Sequence, residues 1–183
     1  AERRRMPLSW PAPGSIETLS SLETYLRTNY PRDILTPCAV GDKRPLSAYS
    51  KGAWSWEKFD AFKASKDEDP PSADWAIILN EICVIGVDDP AVASELESRF
   101  PVLLSAPTER TRRGFHYFFR RSALANEQFL WDGCGHQVIT HVDFKSITPT
   151  GTGGIIMVCP SSEKEWVRTL WQTSLVDIPA DLL

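Results

Sequence analysis

Asp143 and Lys145 stand two residues apart in the stretch Val142-Asp143-Phe144-Lys145. Alternate side chains of an extended strand leave on the same face, so a carboxylate and an ammonium share one polar surface while Val142 and Phe144 turn to a core. By the same parity Gly86 and Asp88 share a face of the run Val84 to Asp88, with Ile85 and Val87 opposite. Only one of those two positions carries a carboxylate. A third stretch, Arg112-Arg113-Gly114-Phe115-His116-Tyr117-Phe118-Phe119, puts His116, Phe118 and Arg120 on one side and Phe115, Tyr117 and Phe119 on the other. Either face suits a core, and His116 taken alone reads more readily as a satisfied structural histidine. Carboxylate oxygens are the ligands that hard Mg²⁺ or Mn²⁺ ions require, and nearby cations neutralise charge on a phosphate.

These residues need strands to carry them, and the hydrophobic pattern supplies strands. Trp75 to Leu79 and Ile82 to Asp88 are apolar runs separated only by Asn80-Glu81, which reads as a tight hairpin of two buried strands. Val102 to Ala106, Phe115 to Arg120, Val142 to Ile147 and Ile155 to Val158 read as further strands, and Asp132 to His141 as a loop. Helical spacing of Ile16, Leu19, Leu22, Tyr25 and Leu26 predicts a first helix from a Ser15 cap to about Asn29. Ser55 caps a second helix whose inner face carries Trp56, Phe59 and Phe62, and Pro90 opens a third through Val92, Leu96 and Phe100. Pro31 to Pro45 is mostly loop. Helices and strands alternate around an antiparallel or mixed sheet, an α+β architecture.

The chain has 183 residues, 42% of them hydrophobic, with 7 Trp and 8 Phe, enough to bury a core. Residues 1–14, with three consecutive arginines, read as an arm or linker ahead of a domain over 15–183. No apolar stretch of about 18 residues predicts a membrane span, so the expectation is a soluble, intracellular protein. Cys38, Cys83, Cys134 and Cys159 form no C-x-x-C pair and read as reduced, buried thiols. A net charge of −4 does not suit a purely electrostatic DNA binder. Cations nevertheless gather at Lys43-Arg44 and at Arg110, Arg112, Arg113, Arg120 and Arg121, a pattern that suits a triphosphate or a short template better than a long duplex. His136, His141 and Asp143 lack the spacing of a zinc site. The glycine-rich run Thr150 to Gly154 reads as a hairpin connection before a phosphate nest.

Taken in order, five segments resemble the bifunctional primase-polymerase type of the archaeo-eukaryotic primase superfamily. They are Gly41-Asp42-Lys43-Arg44-Pro45 with Trp54, Cys83 to Asp89, Thr111 to Phe118, Val142 to Ser146, and Gly151 to Gly154 leading to Pro160-Ser161. The resemblance implies a two-lobed fold, an N-terminal unit over about 15–72 and an RRM-like catalytic sheet over about 73–183. It implies transfer of NTP or dNTP units onto a primer along a DNA template, with two Mg²⁺ or Mn²⁺ ions, and a helicase as a possible companion. Residue by residue, it implies metal-binding carboxylates at Asp88 and Asp143 and phosphate contacts from His116. Charge alone suggests that Lys145, Lys43 and Arg44 neutralise the triphosphate, and that Arg110, Arg112 and Arg113 offer a nucleic-acid path. The family's Asp-x-Asp aligns its first Asp with Gly86, which has no side chain to bind a metal. Asp89 could stand in only if the strand ends or bulges there. The implied alternative is a lapsed domain that keeps nucleotide or DNA binding.

Overall fold

The computed structural model describes residues 16–66, 73–121, 136–147 and 154–182. The expected arm, the Ser15 cap, Cys134 and most of the glycine-rich run lie outside the described residues. Helix α1 (Ile16–Asn29) buries Leu19, Leu22 and Leu26, one side of the helix at the predicted spacing. Strand β1 (Ile34–Cys38) is the extended piece inside the Pro31–Pro45 segment. Helix α2 (Trp56–Ala64) starts at Ser55, whose side chain accepts the Lys58 N–H, and buries Phe59 fully with Trp56 and Phe62 packed beside it. Helix α3 (Pro90–Arg99) has proline in its first turn and Asp89 as its N-cap.

Two antiparallel sheets carry the rest. The smaller has the order β1-β2-β8, with β2 spanning Asp74–Ile78 and β8 Ile155–Val158. The larger has the order β6-β7-β3-β5-β4-β9. Its members are β3 (Ile82–Val87), β4 (Thr108–Arg110), β5 (Phe115–Arg120), β6 (His136–Ile139), β7 (Val142–Lys145) and β9 (Glu165–Arg168). The fold is α+β, and the central order β7-β3-β5-β4 is that of a split βαβ sheet with α3 crossing from β3 to β4.

One face of the large sheet packs Cys83, Ile85, Val87, Tyr117, Phe119, Val142 and Phe144 against α3. The other face is divided along its length. At one end Ile82, Val84 and Phe118 join α1, α2 and the small sheet in a second core. At the other end Gly86, Asp88, His116 and Asp143 line an open cleft. Both faces of β5 are therefore core for part of their length, which accounts for its aromatic run without base stacking.

Three expectations are corrected. The runs around Asn80-Glu81 do not form a hairpin: β2 pairs with β1 and β8, whereas β3 pairs with β5 and β7. The turn is held from outside, because the buried carboxylate of Asp33 accepts the N–H groups of Asn80, Glu81 and Ile82, each at 2.9 Å. Residues Pro101–Leu104 form a short 3-10 helix instead of a strand, following the proline and burying Leu103 alone. His136–Ile139, expected as loop, pairs with β7. Cys38, Cys83 and Cys159 are buried free thiols, and burial pushes Cys38 up to about 11 and Cys159 up to about 12.

Candidate active site

A single row of register crosses the large sheet at its open end. Asp143 on β7 pairs with Gly86 on β3, Gly86 pairs with His116 on β5, and His116 pairs with Glu109 on β4. Side chains opposite one another in antiparallel strands share a face, so a carboxylate, an imidazole and a second carboxylate flank the bare backbone of Gly86. Asp88 follows just past the end of β3 and lines the same cleft, and its N–H donates to the His141 carbonyl at 2.9 Å.

The imidazole is held from behind. His116 Nδ1 lies 2.6 Å from Glu109 Oε1, and the other oxygen of Glu109 accepts the Cys159 N–H at 2.9 Å. Burial drives the His116 pKa below its ordinary value, Glu109 opposes that shift, and Lys164 and Lys145 reinforce it. The neutral ring is thus favoured.

The facing wall comes from two loops clamped together. Asp74, buried at the start of β2, accepts the Gly41 N–H at 2.8 Å, the Ser162 N–H at 3.1 Å and the Ser162 hydroxyl at 3.0 Å. These bonds hold Lys43 on one loop, and Ser161 and Lys164 on the other, against the cleft. Burial lowers the Lys164 pKa, and its neighbours Lys43 and Lys145 add to that shift while Glu109 and Glu163 oppose it. Positive charge concentrated around a half-buried lysine in this way suits the site to an anion.

The end wall is the turn Thr111–Gly114. The Gly114 N–H donates to Thr111 Oγ1 at 3.0 Å and the Thr111 N–H to the Gly114 carbonyl at 2.8 Å. A Cβ on Gly114 would fall 1.7 Å from the Val87 carbonyl oxygen, so only glycine lets this turn close over the end of β3. Arg112 and Arg113 are thereby carried to the mouth of the cleft, where Arg112 Nε lies 3.9 Å from Glu163. The enclosed volume is about 520 Å³, within the range of small-molecule sites.

Of the residues singled out from sequence, Asp88, His116, Asp143, Lys145, Lys43, Arg112 and Arg113 all line this cleft. Three others lie elsewhere. Arg44 is exposed and 3.4 Å from Asp42. Asp89 Oδ1 accepts the Ala91 N–H at 2.7 Å, so its carboxylate caps α3. Arg110, beside Glu109 on β4, turns to the opposite face, where it is buried and paired with Glu165. Glu109, Asp74, Ser162 and Lys164 were not anticipated, and Ser161 was named only within the fifth family segment. Glu109 sits in the unremarkable string Thr-Glu-Arg, and Asp74 and Lys164 gain their places only through loop packing.

Over residues 23–181 the chain matches the family model of the bifunctional DNA primase/polymerase N-terminal domain, Prim-Pol. The chain belongs to the Prim-Pol family. No curated protein matches it in sequence. For a Prim-Pol domain, a cleft that combines carboxylates with a basic wall is consistent with nucleotide and DNA substrates. No described helix is long and apolar enough to cross a membrane.

The family's divalent-metal requirement can be set against this cleft. Among the described residues no group of three His, Cys, Asp or Glu side chains converges as a metal cage. The Prim-Pol cleft nevertheless fits one hard cation, since Mg²⁺ is commonly held by one or two carboxylates, water and substrate phosphates. Asp88 and Asp143 line the cleft as candidates for that role. The row's other carboxylate, Glu109, is taken up by His116 and the Cys159 N–H, and Gly86 leaves open a position where a Cβ would meet His116 Cδ2 at 3.5 Å and Asp143 Cβ at 3.9 Å, both ordinary contacts.

Proposed function

We propose that this Prim-Pol cleft catalyses template-directed nucleotidyl transfer, binding an NTP or dNTP beside a DNA primer and template. The observation that carries this reading is the convergence of Asp88, Asp143 and His116 with Lys43, Lys145 and Lys164 on one cleft from distant parts of the chain. The triphosphate lies against the lysines and His116, and the template enters past Arg112 and Arg113. The primer 3′-oxygen bonds to the α-phosphorus, the α–β anhydride bond breaks, pyrophosphate departs and the hydroxyl proton passes to water. Asp88 and Asp143 would hold a divalent ion, Mg²⁺ or Mn²⁺, which when bound would supply charge neutralisation for that exchange. The lysines hold the leaving pyrophosphate, and His116 contacts the phosphates opposite Gly86.

Extension of a labelled primer on a DNA template, with Mg²⁺ or Mn²⁺, tests the reading. Asp88→Ala and Asp143→Ala should each lower extension by about a hundredfold or more, the scale of losing one charge-stabilising group. Undiminished extension in both variants would remove these carboxylates from the chemistry. The second reading, a lapsed domain that retains nucleotide binding, is favoured by the absent carboxylate at Gly86. Wild-type protein that binds a nucleoside triphosphate yet extends no primer with either metal would establish it.

A further inference from the structure

Glu109 is fully buried, and both of its oxygens are engaged, Oε1 with His116 Nδ1 and Oε2 with the Cys159 N–H. It does not line the cleft itself. A buried carboxylate is costly unless its lone pairs are satisfied, so its retention under the floor of the site calls for a purpose. A carboxylate only accepts, which puts the hydrogen of the neutral imidazole on Nδ1 and leaves Nε2 bare. Cδ2, bonded to Nε2, lies 3.5 Å from where a Cβ on Gly86 would stand, so the Cδ2 side of the ring borders the space above Gly86. Cys159 precedes the loop bearing Ser161 and Lys164, so one carboxylate anchors both the imidazole and the opposite wall.

We propose that Glu109 is a positioning residue of the nucleotidyl-transfer site, fixing the tautomer and orientation of His116 and tying the Ser161–Lys164 loop to it. This rests on the reading of the cleft given above, but its central claim concerns the imidazole and can be read without turnover. Glutamine at this position would have one acceptor for two donors. Its oxygen keeps the Cys159 N–H, its amide donates to Nδ1, and the ring hydrogen moves to Nε2.

The test is ¹⁵N NMR of the ring nitrogens at neutral pH, with His116→Asn assigning the signals, on wild type and Glu109→Gln, followed by primer-extension kinetics. The wild type should show Nδ1–H with a bare Nε2, and Glu109→Gln should show the reverse. Extension by Glu109→Gln should lose about tenfold to a hundredfold in kcat, the scale seen when a partner orienting a functional histidine is lost. The KM for nucleotide should change much less. A wild-type ring with hydrogen on Nε2 overturns the proposal, and needs no variant to fold. So does a tautomer that moves while kcat stays the same. Should the wild type extend no primer at all, the functional reading fails, while the ring measurement still decides whether Glu109 sets the imidazole.

Discussion

In the proposed site Gly86 limits the carboxylates that could face a metal, and its neighbours on both strands are Asp143 and His116. A Cβ fits there in ordinary contact, so Gly86→Asp adds a carboxylate without displacing backbone. Primer extension should rise tenfold or more, equivalent to about 1.4 kcal/mol of transition-state stabilisation. Asp88→Ala should block that gain. The added carboxylate stands beside Asp143, so the variant should melt below wild type in chelator and regain the difference when Mn²⁺ is added. A fully active wild type with a neutral or harmful Gly86→Asp would mean that some other group completes the site.

At the scale of elements, the site depends on the divergence of β2 and β3 into separate sheets, since that parting opens a cleft between them. Asp33 supports the parting by accepting three main-chain N–H groups at the corner. Asp33→Ala leaves those donors buried and should cost about 3 kcal/mol or more, a fall in melting temperature of roughly 2–4 °C per kcal/mol. Burial pushes the Asp33 carboxyl up from 3.8 to about 6, against the lowering effect of the three N–H donors. The folded state therefore holds this proton more tightly than the unfolded state. Its stabilising contribution is complete below 3.8 and declines as pH rises through about 6. The stability advantage of wild type over Asp33→Asn should accordingly shrink between about pH 4 and pH 7 in denaturant titrations. An advantage that grew over that range would show the N–H donors outweighing burial. Gly114→Ala should also destabilise, because its Cβ collides with the Val87 carbonyl and forces the Arg112-Arg113 turn off the end of β3.

Across the whole molecule, an acidic chain concentrates its useful cations on one cleft. Binding of DNA should therefore be salt-dependent yet involve few phosphates, with log K falling by about 0.9 per log unit of salt for each phosphate neutralised on duplex DNA. Replacing Arg112 and Arg113 together by Ala should flatten that slope, because both are exposed at the mouth of the cleft. An unchanged slope in the double variant would send the template along another surface. Arg110→Ala should instead act on stability, since its guanidinium is buried against Glu165 and faces away from the cleft.

Strand parity along β3, β5 and β7 was legible in the sequence, because a period of two sorts polar from apolar side chains without knowledge of their neighbours. It put Asp143 with Lys145, exposed the missing carboxylate at Gly86, and left His116 and Phe118 on a common face. Which strands pair was not legible. Trp75–Leu79 and Ile82–Asp88 looked like hairpin partners because nearness in sequence favours pairing, yet Asp33, more than forty residues away, takes over the corner's N–H groups. Glu109 and Lys164 carried no signal, since an isolated charged residue on a short strand or in a loop has no period to read. Their roles arise only when β4 is laid beside β5 and the loop after β8 folds over it. Tertiary packing decided them because burial and hydrogen-bond partnership depend on the neighbours that long-range pairing brings together.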